Sequence, residues 1–229
     1  NGKNLSDKYF FPFYAAAALC LLNFLYGYFI LPESLSKKNR REFDIKRANP
    51  IGSFVSLKKY PKLVGLVIAV FILHTASHAV QSNWSYFTIY QFNWDEKMVG
   101  ISLGVVGILV ALVQGVLIRW INPKIGDVKS IYVGMSLYTL GMFLFGFATQ
   151  SWMMFAFLIP YCLGGIAGPA LQAVIASQVP ANQQGEIQGT LTSLISVSAI
   201  VGPPMMSLVF YYFTHDDAPF KFAGAPFIL

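Results

Sequence analysis

Few side chains in this 229-residue chain can do chemistry, and most of those sit inside apolar runs. His74, His78, Gln81 and Ser85 are spaced i, i+4, i+7 and i+11. On a helix that spacing makes a single stripe. Imidazoles titrate near neutral pH, and amides both donate and accept, so the stripe suits a route for protons or polar solutes. The plain alternative is two neutral histidines bonded to neighbouring helices. A second set comprises Gln114, Gln172, Gln188 and Thr192, with Ser196 one turn beyond Thr192. Uncharged polar groups in an apolar run bond either a ligand or another helix. The long apolar windows hold no carboxylate, and no Asp-rich loop exists, so catalytic and metal-ligating constellations are missing. Cys20 and Cys162 read as buried free thiols, with no disulfide framework and no metal site.

The elements that must position these groups follow from composition. Residues are 55% hydrophobic and 11% charged, where a soluble domain carries about 25% charge. No Asp, Glu, Lys or Arg occurs in 9–32, 63–94, 98–118, 130–185 or 187–215. A helix crossing the bilayer core needs roughly 20 apolar residues. The spacing therefore predicts spans at about 10–31, 64–88, 98–118, 130–148, 152–176 and 187–213. A seventh is expected to begin near Pro219 and to run on to Leu229. With no initiator Met, no signal peptide and a C-terminus inside an apolar run, the chain reads as part of a longer protein. Strand alternation is absent, so the expected fold is an all-α membrane protein and not a β-barrel. In the third span Gly100, Gly104, Gly107, Ala111 and Gly115 form a small-residue stripe of the kind that lets helices approach, and Gln114 lies at its border.

Charge sets the topology. Lys37, Lys38, Arg40, Arg41, Lys46, Arg47, Lys58, Lys59 and Lys62 crowd the 33–62 loop, and Arg119, Lys124 and Lys129 lie near the 119–129 loop. Both loops fall on one side, which the positive-inside bias makes cytoplasmic. The net charge of +6 thus reports membrane orientation and anionic lipid headgroups, and calls for no nucleic acid. The expected domains are 1–32, one span; 33–62, a basic cytoplasmic loop, mildly amphipathic through Ile51, Phe54, Val55 and Leu57; and 63–229, the main bundle.

Weak helix points cluster late in the chain. Gly164, Gly165, Gly168 and Pro169 weaken the fifth span, and Gly202 and Pro203 in "VGPPMM" weaken the sixth. Between them Gly185 lies in a short loop and Gly189 just inside the sixth span. Two bendable helices with polar faces, joined by a short inner loop, suit a moving gate.

"PFYAAAALCLLNFLYGYFILPESL" (12–35), "FNWDEKMVGISLGVVGILVALVQG" (92–115) and "GPALQAVIASQVPANQQGEIQGTLTSLISVSAIVGPP" (168–204) resemble the drug:proton antiporter branch of the major facilitator superfamily, above all its tetracycline-resistance efflux group. The likeness extends over nearly the whole chain. It implies the C-terminal half of a twelve-helix transporter, with the first span here standing for the sixth of twelve and the last for the start of the twelfth. It also implies a missing N-terminal half, alternating access, a proton gradient as the energy source with no cofactor, and an inner-membrane location. "RWINPKIGDVKS" (119–130) matches a weakened form of the family's cytoplasmic loop motif at Lys124, Gly126, Asp127 and Lys129, with Arg119 where a glycine is expected. The tetracycline exporters carry a histidine where this chain has Val110, and an aspartate at about Tyr138.

The resulting expectation is proton-coupled efflux of a small amphipathic compound, tetracycline-like drugs among the candidates. His74, His78, Gln81, Gln114, Gln172, Gln188 and Thr192 would line the route. The glycines and prolines named above would serve the gate. A non-transporting fragment or membrane scaffold is the alternative, and a membrane-embedded enzyme fits the sequence least.

Overall fold

The computed structural model describes residues 3–32 and 60–229. The expected cytoplasmic loop and its amphipathic stretch therefore lie outside the described residues, apart from 60–62. The chain divides into two units, Asn1–Glu42 and Phe43–Leu229. In the first, α1 (Lys3–Phe29) is a continuous helix with Pro12 inside it. Its aromatic and aliphatic side chains from Phe10 to Phe29 are exposed, as suits a helix with lipid for a neighbour.

The second unit is a helical bundle. α2 (Pro61–Phe92) opens with proline at its first position, where the missing N–H costs nothing. It ends on Asn93, whose φ of 53° places it in the left-handed region that asparagine tolerates. Asp95 then caps α3 (Glu96–Leu112) by accepting from the Met98 N–H at 2.8 Å. A π turn (Val113–Leu117) carries α3 into α4 (Ile118–Ile125). Gly126, with φ of 80°, makes the reversal into α5 (Asp127–Gly146). α6 (Ser151–Leu163) continues through a 3-10 turn (Gly164–Ile166) into α7 (Ala167–Ser177). A second 3-10 turn (Ala181–Gln183) leads to α8 (Gln184–Thr214). Together with α1, six stretches are long and apolar enough to cross a membrane, in agreement with the six complete spans expected. Among the described residues every regular element is helical.

Two buried clusters hold the bundle. Near the basic-loop end Leu63, Val67, Ile131, Leu171, Ile175, Ile187 and Leu191 pack together. Toward the other end Trp84, Phe87, Phe145, Met154, Leu158 and Phe227 form the larger cluster. Trp84 meets Phe145 edge-on at 5.3 Å and donates its indole N–H to Ser102 Oγ at 2.9 Å, joining α2, α3 and α5. Glycines seat α5 on its neighbours. A Cβ on Gly141 would stand 2.7 Å from Tyr161, and one on Gly164 would stand 2.6 Å from the Cβ of Tyr138. Backbone-to-backbone approach of this kind is how membrane helices gain van der Waals contact where lipid offers no hydrophobic drive.

Four expectations need correction. Cys20, expected to be buried, is exposed on α1, whereas Cys162 is buried. Residues 219–229 begin no helix: they hold only a 3-10 turn, Ala225–Phe227, and fold onto the bundle end with Ala223, Ala225 and Phe227 buried. Pro219, Gly224 and Pro226 within eleven residues oppose a helix. The break expected at Gly168 and Pro169 lies earlier, at Gly164–Ile166. Pro169 instead occupies the first turn of α7, where no intrahelical bond is lost. Finally, "VGPP" interrupts nothing. α8 runs unbroken through Pro203 and Pro204, and Gly202 packs against His78 of α2 just before them, a neighbour of the kind that lets a membrane helix tolerate proline.

Candidate functional site

A single stripe along α2 changes character as it rises. Leu63, Val67 and Val70 are buried, His74 and His78 are half-buried, and Gln81 and Ser85 are exposed. The spacing of four, three, four, four, three and four residues keeps all seven on one face. The face is thus sealed near the basic loops and opens toward the other end. Hydrocarbon cannot solvate an exposed amide, so the open part faces water or protein.

The histidines are held differently. His74 Nδ1 lies 2.9 Å from the Val70 carbonyl oxygen. A carbonyl oxygen only accepts, so Nδ1 is the donor in that bond. The His78 ring rests on Gly202 of α8, with its Cδ2 2.5 Å from where a Cβ would be. Beside them the Ser77 hydroxyl donates to the His74 carbonyl at 2.7 Å, and Gln81 Nε2 donates to Ser77 Oγ at 3.1 Å.

On α8, Thr192 donates to the Gln188 carbonyl at 2.9 Å, and Ser196 donates to the Thr192 carbonyl at 2.9 Å. These hydroxyls spend their donors within the helix and present lone pairs outward. Gln172 on α7, Gln188 on α8 and Gln114 in the π turn are all exposed. The stripe of Gly100, Gly104, Gly107 and Gly115 lies opposite the buried face of α3, and no atom comes within 4 Å of a Cβ placed on any of these glycines. Gly165, Gly168, Gly185 and Gly189 are equally open. The small-residue stripe of α3 therefore finds no packing partner among the described residues. Gly164 and Gly202, by contrast, are sealed contacts.

Among the described residues, a cavity of about 210 Å³ is lined by Ala76, Tyr138, Thr139, Met142, Met206 and Phe227 among others, and none of the polar candidates borders it. The candidates lie instead on exposed or half-buried surface of α2, α7, α8 and the π turn. Within α4, Lys124 stands 5.8 Å from the centre of the Trp120 ring. Asp127 opens α5, where a negative charge suits the helix dipole. Lys124, Asp127 and Lys129 form no ion pair among the described residues, and the motif owes its shape to Gly126.

Sequence reasoning missed three features. The π turn beneath Gln114 has no residue signature. Asn83 is fully buried on α2, and neither amide atom meets a hydrogen-bonding partner among the described residues. Tyr60, at the entry to α2, donates its hydroxyl to Gln183 Oε1 in the turn before α8. Only Asn83, an amide in an apolar run, could have been flagged beforehand.

Compared with known proteins, residues 5–219 match the model of the Major Facilitator Superfamily. The class C tetracycline resistance protein of Escherichia coli is 36% identical over 199 residues, which cover 87% of this chain and 50% of that protein. The class E protein of the same organism is 36% identical over 200 residues, with 87% and 49% covered. Hippocampus abundant transcript-like protein 1 of Mus musculus is 25% identical over 232 residues, with 93% and 46% covered. The chain spans about half the length of the curated relatives it matches.

Proposed function

The chain belongs to the major facilitator superfamily, and from that premise we propose that it forms one wall of a proton-coupled exporter of small amphipathic compounds. It is a multi-pass membrane protein of a transporter family, not an enzyme. The observation that carries the proposal is the α2 stripe, which passes from buried apolar residues through His74 and His78 to exposed Gln81 and Ser85. A face with that gradient is half of a cleft. Gln114, Gln172, Gln188 and Thr192 supply polar contacts that no described residue covers, and a second bundle of similar size would close the cleft over them.

Transport then follows from differential affinity: proton and solute each favour one access state and shift the balance only by that preference. Gly165, Gly168, Gly185 and Gly189, with open space beside them, leave α7 and the start of α8 free to adjust. Pro169 and Pro203 limit where they bend. Gly164 and Gly202 act as fixed contacts about which the gate closes. The Lys124–Lys129 turn and the 33–62 loop lie on the cytoplasmic side of an inner membrane. Tetracyclines, for which the relatives are named, are the first compounds to assay.

Everted vesicles from cells producing the chain together with a complementary six-helix bundle test this reading. Uptake that collapses when the pH gradient is dissipated, and that weakens in His78→Gln, is the expected result. Uptake indifferent to the gradient across chemically diverse compounds would reject it. Binding without flux would favour a scaffold.

A further inference from the structure

We propose that the π turn Val113–Leu117 and the 3-10 turn Gly164–Ile166 are one paired hinge, and that Gln114 rides on it. This inference rests on the reading of Gln114 as part of the solute route. Both turns interrupt otherwise continuous stretches, Glu96–Ile125 and Ser151–Ser177. A π turn bonds to the fifth residue back and a 3-10 turn to the third, and each geometry is poorer than the α bond it replaces. The two weak points are in direct contact with each other.

Each turn has one sealed side and one open side. Val113 and Ile166 are both 2% exposed, and Gly164 is pressed against Tyr138. Gly115, Gly165 and Gly168 have nothing within 4 Å of a would-be Cβ. A bend therefore has a fixed pivot and free space to move into. The 3-10 turn is seated on Gly134 and Tyr138 of α5 and also touches the π turn, so in a close-packed interior a tilt of one turn is passed to the other. Gln114 lies inside the π turn, so a solute held by its amide would load both helices at once.

Amide hydrogen exchange on this chain in lipid nanodiscs tests the coupling without substrate. Gly165→Ala places a methyl in open space and favours helix at the 3-10 turn. Exchange should slow about fivefold at 164–170 and, by a similar factor, at 113–119, while amides 205–212 of α8 stay unchanged. Slowing confined to 164–170 would overturn the proposal. Deleting Val116, which restores the α register, should slow 164–170 reciprocally. A deletion variant that fails to fold leaves Gly165→Ala to decide. Loss of the transport reading would leave these exchange results standing, and unlinked exchange would leave transport standing.

Discussion

Gly202 of α8 lies against the ring of His78 on α2, so close that a Cβ there would stand 2.5 Å from Cδ2 and 2.8 Å from Cγ. The contact fixes the depth at which the two longest helices of the bundle meet. It also places an ionisable side chain at their joint.

Gly202→Ala should therefore cost about 1–3 kcal/mol through overpacking. Thermal unfolding in micelles would show a lowered midpoint. In a His78→Ala background the same substitution should cost far less, a coupling readable from a double-mutant cycle. Equal costs in both backgrounds would place the clash elsewhere.

Asn83 makes the opposite case. Its carboxamide is fully buried and meets no partner among the described residues, a state that costs about 1–3 kcal/mol. Asn83→Leu keeps the branching and the number of side-chain heavy atoms and removes the polar ones, so the unfolding midpoint should rise. Asn83→Ala should gain less, because it leaves a cavity. A fall in the midpoint of the leucine variant would mean the amide has a stabilising partner.

Tyr60 and Gln183 join the start of α2 to the turn before α8. Tyr60→Phe removes the donor and keeps the ring in its apolar cluster. The expected loss is about 0.5–1.5 kcal/mol, felt locally as faster protease cleavage or hydrogen exchange at 180–184. Unchanged exchange there would show that the turn is held by backbone bonds alone, such as that from the Gln183 N–H to the Pro180 carbonyl at 2.8 Å.

The spans were legible because charge is excluded from them. Lys and Arg fall where α4 ends, and carboxylates are absent along α2, α6 and α7. The α2 stripe was legible because its period matches the helix. The irregular turns were not, since Val113–Leu117 and Gly164–Ile166 deviate by one hydrogen-bond step without demanding particular residues. Pro169 and "VGPP" misled for a related reason. Proline forbids a bond only if the residue lies beyond the first turn, and a lipid-embedded helix with a packed neighbour survives its loss. Residues 219–229 are apolar enough to suggest a span, but their prolines and glycine favour a compact fold against Phe87 and Gly146.

The graded exposure of the α2 stripe yields the most direct check on the cleft. With Cys20 and Cys162 replaced by serine, single cysteines at Ser85, Gln81 and His78 report water access at successive depths. A membrane-impermeant maleimide reacts with a thiolate and needs water to reach it. Reaction should be fastest in Ser85→Cys, slower in Gln81→Cys and slowest in His78→Cys. Ile72→Cys serves as the control: Ile72 is 57% exposed, but on an apolar flank of the same helix, where lipid and not water is its neighbour. Its thiol should stay unlabelled despite being more open than His78 in the protein alone. Labelling of Ile72→Cys at the rate of Ser85→Cys would mean that the polar stripe has no privileged contact with water, and the cleft would have to be abandoned.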